Sequence, residues 1–233
     1  MTAPPAPDPG RAIRSYVIRA GRTTAAQQRA LEQHWPRFGV EFSPVPLDLQ
    51  RLYGRQAERT LEIGFGNGEA LLARALAEPE RDFLGVEVHP PGIGHLLLAA
   101  AAAGLRNLRL IAHDGVEVLS RQLPPQSLDE VQLLFPDPWP KKRHHKRRIV
   151  QSEFVALVAS RLRRGGRFHL ATDWEPYAEQ MLFVLEGCSE LLNAASEGNF
   201  IPAGAVATRR ATRFERRGER LGHRVRELLF LRR

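Results

Sequence analysis

Short apolar runs alternate with longer mixed stretches of about ten residues from Arg59 onward. The apolar runs end at glycine, proline or acidic residues, which is the pattern of buried β-strands. Alternation of such strands with helices predicts parallel β-α-β units, and hence an α/β fold with a doubly wound sheet. The predicted strands are 60–65, 83–88, 108–112, 128–135, 167–172 and 228–231, and the predicted helices are 69–77, 92–103, 116–123, 152–162 and 176–186.

The chain before Arg59 lacks the alternation of strands and helices. Residues 1–10 hold four prolines and few apolar residues, so we predict a disordered tail. Residues 11–58 are predicted to form a basic helical extension with one helix from Thr24 to Trp35, capped by Thr23 or Thr24 and closed by Pro36. Residues 59–233 then form the main domain.

The composition is that of an ordinary globular protein, with 43% hydrophobic and 26% charged residues among 233. Cys188 is the single cysteine, which excludes a disulfide framework and a cysteine-based zinc cluster. The longest apolar run, 96–103, is far shorter than the ~20 residues a bilayer requires. The N-terminus lacks the apolar core of a signal peptide. We therefore expect a cytoplasmic protein with neither a metal nor a membrane partner; the oligomeric state is not predicted.

The net charge of +8 is unevenly distributed. Six of the eight residues from Lys141 to Arg148 are lysine or arginine, ten arginines face three glutamates over 209–233, and five arginines with no acid lie in 10–31. The remainder of the chain is net acidic. Such segments are often only solvated surface, but they also suit an anionic partner such as nucleic acid.

The carboxyl end of each of five successive predicted strands carries an acidic residue. In a parallel sheet these carboxyl ends meet at one edge, where ligands bind. The sequence therefore predicts a cleft lined with carboxylates. The five residues are Glu62, Glu87, Asp114, Asp137 and Asp173.

The glycine loop after the first strand favours a nucleoside without phosphates. Gly64, Gly66 and Gly68 allow close approach of the backbone to a ligand. The sixth position of a dinucleotide fingerprint is occupied here by Glu69, whose carboxylate would repel a pyrophosphate. Glu87 can accept the hydroxyls of a ribose, and Asp114 can contact an adenine amino group. S-adenosylmethionine fits best; ATP and NAD stay possible but lack a P-loop lysine and a clean fingerprint.

The loop after the fourth predicted strand combines several functional residue types. Asp137 lies between two prolines that restrict the backbone, and Trp139 offers a face for a nucleobase. The basic run 141–148 follows at once and can bind a phosphate backbone. A rigid proline turn with a solvated basic tail is the alternative.

Several segments together resemble the bacterial tRNA guanine-N7 methyltransferase family. They are Leu61–Gly68, Gly85–His89, Phe135–Lys141 with Arg143–Arg148, Ala171–Trp174 and Thr212–Glu215. The Phe-Pro-Asp-Pro-Trp segment with its basic continuation is the most specific, whereas the glycine loop fits any class I methyltransferase. Asn67 and Pro140 stand at positions that look variable in such loops.

The resemblance implies a Rossmann-like, mostly parallel seven-stranded sheet with helices on both faces. It implies methyl transfer from S-adenosylmethionine to N7 of guanine 46, in the variable loop of tRNA. Asp137 matches the proposed catalytic acid. Matching cofactor-binding positions are Glu62, Gly64, Gly66, Gly68, Glu87, Asp114 and Asp137; substrate-binding positions are Lys141, Asp173, Thr212, Arg213, Phe214 and Glu215; RNA-binding positions are Arg143, His144, His145, Lys146, Arg147 and Arg148.

Three other functions remain open from the residues alone. A class I methyltransferase acting on a small molecule or a protein would not need the run 141–148. A non-catalytic RNA-binding protein with a Rossmann-like core would not need Glu62, Glu87 and Asp114 together. A dinucleotide oxidoreductase is disfavoured by Glu69.

Overall fold

A seven-stranded sheet forms the centre of the protein. The structure, a computed structural model, describes residues 15–16, 23–202, 204–206 and 224–233. The strand order is β3-β2-β1-β4-β5-β7-β6; strands β1 to β5 are parallel, and β7 is antiparallel to both β5 and β6. The strands are β1 (Arg59–Ile63), β2 (Asp82–Val86), β3 (Leu108–Ile111), β4 (Leu128–Leu134), β5 (Leu162–Thr172), β6 (Leu191–Asn193) and β7 (Arg226–Arg232).

Helices cover both faces of this sheet. Helices α1, α3 and α4 pack on one face through apolar residues such as Phe38, Leu71 and Leu97. On the other face, α6 and α7 contribute Val155 and Met181 to a second core. The helices are α1 (Ala25–Phe38), α2 (Leu49–Tyr53), α3 (Glu69–Ala77), α4 (Pro90–Ala102), α5 (Gly115–Glu117) continued by a π-helical turn (Val118–Gln122), a 3-10 helix (Lys142–Arg147), α6 (Ser152–Arg161) and α7 (Glu175–Glu186).

This topology confirms the predicted α/β doubly wound, mostly parallel seven-stranded sheet. Strand β1 is paired with β2 on one side and with β4 on the other. The chain therefore reverses its direction of winding between these two strands, and a crevice opens beyond their carboxyl ends. The loops that follow β1, β2, β3 and β4 all reach this crevice.

The start of the chain packs onto the same sheet. Gln27 of α1 donates a side-chain hydrogen bond to the carbonyl of Pro91 at 3.0 Å, and Phe38 is fully buried in the core beneath α4. Leu49 of α2 joins the opposite core. The described part of the proposed extension 11–58 thus shares both cores with the main domain. The proposed tail 1–10 lies outside the described residues.

Helix α1 begins as predicted and ends later than predicted. Thr24 and Gln27 form a reciprocal capping box at its start. Pro36, expected to close the helix, lies inside it. Pro36 costs the helix one backbone hydrogen bond, and the complete burial of Phe38 holds the last turn in place.

Several other elements differ from the sequence-based expectation, among them the 3-10 helix Lys142–Arg147, which was not predicted. Helix α2 and strand β6 were not predicted, because each is shorter than the window in which periodicity is visible. Strand β5 begins at Leu162 rather than Arg167, since a register shift between Leu128 and Glu130 lets its first residue pair with β4.

A buried row of polar side chains crosses the sheet under α3. Arg74 donates to Glu130 at 2.8 Å, and both side chains are almost completely buried. Gln132 also donates to Glu130 at 2.8 Å, while His169 pairs with Glu227 at 3.0 Å. Each charge in this row therefore has a partner that offsets its loss of hydration.

We expect Arg74→Met to lower the free energy of unfolding by about 3–5 kcal/mol, because it leaves the buried Glu130 without its main counter-charge. Chemical denaturation measures this change. The matched variant Arg163→Met removes a half-exposed side chain that pairs with Glu58 and with Asp129. Asp129 still accepts the backbone N–H of Arg59, so this variant should cost less than about 1 kcal/mol. Equal losses in the two variants would contradict this account of the buried row.

Candidate active site

A cavity of 390 Å³ lies beyond the carboxyl ends of β1 to β4. This volume is within the usual range for small-molecule sites. Its wall takes residues from the four loops that follow these strands and from Ser15 and Tyr16 near the start of the chain. Of the predicted site residues, Gly64, Gly66, Glu87, Asp114 and Asp137 line it.

The glycine loop requires its glycines for conformational reasons. Gly64, Gly66 and Gly68 have φ of +74°, +58° and +75°, a region that other residues rarely adopt. A Cβ atom at Gly64 or Gly66 would meet no protein atom within 4 Å, so the open space belongs to the cavity. Gly68 instead stands at the start of α3, and its backbone lies against the side chain of Leu96. The loop thus exposes bare backbone to a ligand.

Glu87 fixes the shape of this loop. Its Oε2 accepts the backbone N–H of Gly66 at 2.8 Å, and its Oε1 accepts those of Val88 and His89 at 2.6 and 3.0 Å. These bonds hold the carboxylate at the cavity wall and join the loops after β1 and β2. A carboxylate has about four acceptor positions, so one remains for a ligand donor.

A second close approach brings α4 against the glycine loop. A Cβ atom at Gly92 would stand 2.1 Å from the carbonyl oxygen of Gly66, so the two segments can meet only where Gly92 has no side chain. Gly92 was predicted only as the first residue of a helix, and this contact was not predicted. No short motif indicates it, because the two residues meet only in the folded chain.

Asp114 caps α5 at the adjacent strand end. Its Oδ1 accepts the backbone N–H of Val116 at 2.8 Å, while Oδ2 makes no hydrogen bond within the described chain. The neighbouring His113 pairs with Glu117 and stacks on Phe42 with ring centroids 3.7 Å apart. His113 therefore has a structural role at the cavity edge.

Glu62 precedes the cavity-lining Ile63 on β1 and is not part of the described wall. Its side chain is 3% exposed, and Oε2 is buried without a hydrogen-bond partner in the described chain. Burial, together with the nearby carboxylates of Glu130 and Glu87, raises its pKa to about 7 although Arg74 opposes the shift. The buried oxygen is suited to a cationic or hydrogen-bond-donating ligand group.

The loop after β4 brings Asp137 to the cavity. The N–H of Phe135 donates to the carbonyl of Ala171 at 2.8 Å, which extends the sheet pairing into the loop. Phe135 and Trp139 have φ of +52° and +44°, and these two turns set the path of the chain around Asp137. Asp137 is exposed on the cavity wall. Asp173 is half-buried beyond β5 and is not on the described wall.

The ring of Trp139, expected from the sequence to stack on a nucleobase, contacts other side chains of the protein. The guanidinium of Arg147 lies over its ring at 5.0 Å, His144 approaches its edge, and its indole N–H donates to the carbonyl of Ser15 at 3.0 Å. One face expected to receive a nucleobase is thus covered by the protein itself. Trp139 ties the basic 3-10 helix and the start of the chain to the Asp137 loop.

The basic run divides into an outer and an inner part. Lys141, Lys142, Arg143 and Lys146 are exposed, and His144, His145 and Arg147 are half-buried. The exposed cations lie on and just before the 3-10 helix beside the cavity. They present positive charge next to the carboxylates of the strand ends.

Arg148 departs from the predicted RNA-binding role. Its side chain is 3% exposed, donates from Nε to the carbonyl of Pro138 at 2.8 Å and from Nη1 to Gln180, and lies over the ring of Tyr177. Burial lowers its pKa. Arg148 is a buried anchor that fastens the Asp137 loop to α7, so it is not available on the surface that would meet RNA.

Two sets of residues change the extent of the site from the one that was predicted. Thr212, Arg213, Phe214 and Glu215 lie outside the described residues. Ser15 and Tyr16 were missed by the sequence analysis, because nothing in their local sequence indicates that the chain start passes the cavity.

A larger groove of 630 Å³ lies along α6 and α7 and includes none of the predicted site residues. Among the described residues, no cluster of His, Cys, Asp or Glu could hold a metal ion. The described chain also contains no helix with the length and apolar character needed to cross a membrane.

Comparisons with known proteins agree with these features. A family model described as a putative methyltransferase matches residues 56–228. A protein of Yersinia pestis (strain Pestoides F), named tRNA (guanine-N(7)-)-methyltransferase, is 54% identical over 220 residues, covering 94% of this chain and 91% of its own. A protein of the same name from Alkalilimnicola ehrlichii is 55% identical over 225 residues, covering 96% and 94%. The chain belongs to the tRNA (guanine-N(7)-)-methyltransferase family. The resemblance that the sequence motifs predicted is confirmed.

Solved structures support the fold of this methyltransferase family member. The crystal structure of the 16S rRNA methyltransferase KamB has a TM-score of 0.57 at 17% identity, covering 81% of this chain and 95% of its own. That of a 30S ribosomal A1408 methyltransferase from an uncultured bacterium has a TM-score of 0.54 at 11% identity, covering 80% and 93%. Both show the predicted Rossmann-like arrangement of class I methyltransferases.

The raised pKa of Glu62 predicts a pH dependence of stability. An unfolded chain releases this proton near its ordinary value of 4.5, whereas the folded protein releases it near 7. Between these values the folded state binds more protons, so raising the pH weakens folding. The Glu62→Gln variant lacks this titrating group. The difference between its free energy of unfolding and that of the wild type should therefore increase by about 3 kcal/mol, in favour of the variant, from pH 4.5 to 7.5. Urea denaturation at several pH values measures it; a pH-independent difference would contradict the assignment.

Proposed function

We propose that this protein transfers a methyl group from S-adenosylmethionine to N7 of guanine 46 in tRNA. The observation that carries the proposal is one cavity in which the glycine loop, Glu87 and Asp114 meet Asp137, whose loop continues directly into exposed lysines and an arginine. The names of the close relatives indicate that the substrate is tRNA and that the methylated atom is N7 of guanine. A tRNA substrate places the reaction in the cytoplasm.

The residues around the cavity fit S-adenosylmethionine. The open space where a Cβ would stand at Gly64 and Gly66 can receive a ligand against bare backbone. Glu87 offers a fixed carboxylate for the ribose hydroxyls, and Oδ2 of Asp114 can accept from the adenine amino group. Glu62, one residue before the cavity-lining Ile63, has a buried oxygen without a hydrogen-bond partner in the described chain, which suits the positive charge of the methionine part.

The tRNA is bound by the charged surface next to the cavity. The exposed side chains of Lys141, Lys142, Arg143 and Lys146 suit phosphate groups, which position the RNA without reading its sequence. Arg148 supports this surface from inside the protein. The flanking basic segments around 10–31 and 209–233 extend the positive charge along the chain.

The chemistry requires orientation more than proton transfer. S-adenosylmethionine supplies an electrophilic methyl group on a sulfonium. Guanine N7 has a lone pair and no proton, so the protein needs no general base. Asp137 can accept from the N1–H and N2–H edge of guanine, which adenine lacks, and its charge stabilises the cationic product ring. Holding the reactants in position can contribute ~7–11 kcal/mol in favourable cases.

Incubation of the purified protein with methyl-labelled S-adenosylmethionine and bulk tRNA tests the proposal. After nuclease digestion the label should be in 7-methylguanosine, and replacing guanine 46 of a single tRNA transcript by adenine should abolish incorporation. Label in another nucleoside, or none in RNA, would refute the function. Label at another guanine would refute the position alone.

We expect Asp137→Ala to lower kcat/KM for tRNA by about 10²–10³-fold, because the carboxylate that faces the developing positive charge is removed. Calorimetry should find tRNA affinity within several-fold of the wild type. Glu153→Ala removes an exposed acid on α6 and should leave turnover unchanged. Full turnover by Asp137→Ala would reject its role.

Replacing Lys141, Lys142 and Arg143 with alanine should weaken tRNA binding and reduce its salt dependence. The slope of log K against log salt is expected to fall by roughly 0.7–0.9 for each phosphate group that the variant no longer binds. The control replaces Arg51, Arg121 and Arg164, which are exposed and lie outside the three basic segments. If the slope falls equally in both triple variants, the effect comes from net charge and not from this surface.

A further inference from the structure

We propose that Arg148 is a positioning residue for methyl transfer, which acts by holding the backbone beside Asp137. The inference rests on the proposed function and deepens it. Arg148 is not on the described cavity wall, and its side chain is buried against the loop that carries Asp137. It directly follows the basic 3-10 helix, so one segment of chain carries both the exposed cations and this buried one.

The loop after β4 has few backbone donors of its own. Pro136, Pro138 and Pro140 have no backbone N–H, so every second residue of the loop cannot donate a hydrogen bond. Phe135 and Trp139 have φ of +52° and +44°, which is a strained conformation for residues with a Cβ atom. The loop therefore depends on contacts from other elements to keep its path.

Arg148 supplies such a contact to the loop. Its Nε donates to the carbonyl of Pro138 at 2.8 Å, and its Nη1 donates to Oε1 of Gln180 on α7. Its guanidinium lies over the ring of Tyr177, 4.7 Å from the centroid. Gln180 donates to the carbonyl of Val150, and the hydroxyl of Tyr177 accepts the N–H of Val150, both at 3.3 Å. The guanidinium thus joins the loop to α7 by three separate contacts.

Helix α7 gives these contacts a rigid base. Tyr177 is fully buried and belongs to the same core as Met181. Because the ring of Pro138 fixes its own φ, a hydrogen bond to its carbonyl restricts the backbone directly beside Asp137. A carboxylate on a restricted backbone needs little reorganisation at the moment of reaction.

The proposed reaction makes this restriction matter for the rate. The N7 lone pair forms the bond to the methyl carbon, the electron pair of the carbon–sulfur bond passes to sulfur, and the guanine ring becomes a cation. No proton moves, so Asp137 contributes only through where its charge stands relative to the base. A displacement of ~1 Å can lower a rate ~10²-fold.

The test compares Arg148→Lys with the wild type in single-turnover reactions at saturating S-adenosylmethionine and tRNA. Lysine keeps the charge but lacks the planar fork that reaches Pro138 and Gln180 together. We expect the rate constant to fall by about 10-fold or more, because the loop loses its fixed position. The affinity for tRNA, measured by calorimetry, should stay close to the wild-type value, since the exposed cations are unchanged.

Two further variants frame this result. Gln180→Met removes only the acceptor on α7 and should lower the rate constant by about 3-fold or more. Arg161→Lys is the matched control, because Arg161 also donates from Nε to a distant carbonyl, that of Leu119 at 2.7 Å, and neither residue is on the described cavity wall. This control should leave the rate constant unchanged.

A double-mutant cycle with Asp137→Ala separates positioning of the acid from support of the fold in general. If Arg148 acts through Asp137, Arg148→Lys should lower the single-turnover rate constant by less than about 2-fold once Asp137 is alanine. A purely structural role predicts the same fold loss in both backgrounds.

The proposal is overturned if Arg148→Lys retains the wild-type rate constant, if its loss is equal in both backgrounds, or if tRNA affinity falls as much as the rate constant. Should Arg148→Lys not fold, Gln180→Met is judged by the same three criteria. A wild-type protein that forms no 7-methylguanosine would instead refute the proposed function, before any variant is compared.

Discussion

The carboxylate of Glu87 determines the shape of the site more than any other single group. It accepts backbone N–H groups from Gly66, Val88 and His89, so the loops after β1 and β2 cannot move independently. Three backbone donors at the sheet edge would otherwise need water. The same arrangement leaves the open space at Gly64 and Gly66, and it explains why α4 must present Gly92 to the loop. The cavity wall and the local fold thus depend on one side chain.

The loop that contains Asp137 is held by a buried cation, whereas the loops after β1 and β2 are held by the carboxylate of Glu87. Arg148 fastens the chain after Asp137 to Pro138 and to Gln180 of α7. The preceding lysines and Arg143 remain at the surface. One continuous basic run therefore contains an internal anchor and an external charged surface. This division explains how long, exposed side chains can follow directly on the well-defined Asp137 loop.

Opposite charges meet at this edge of the sheet. The carboxylates of Glu87, Asp114 and Asp137 line the cavity, and the basic 3-10 helix begins five residues after Asp137. An acidic cavity suits a sulfonium cofactor, and a basic rim suits RNA. The net charge of +8 therefore hides an acidic cavity wall and basic segments of opposite sign. Beneath them, the pairs Arg74–Glu130 and His169–Glu227 keep the buried face of the sheet neutralised.

The sequence by itself determined the α/β fold, the order of its main elements and the strand ends that carry acids. It could do so because apolar periodicity and glycine loops are local signals, and because parallel strands align their carboxyl ends. Local signals also identified the family. Only the tertiary structure decided that Arg148 is buried, that Trp139 is covered by Arg147, that Gly92 meets Gly66, and that Ser15 and Tyr16 reach the cavity. Each of these depends on contacts between segments distant in sequence, and no spacing within either segment encodes them.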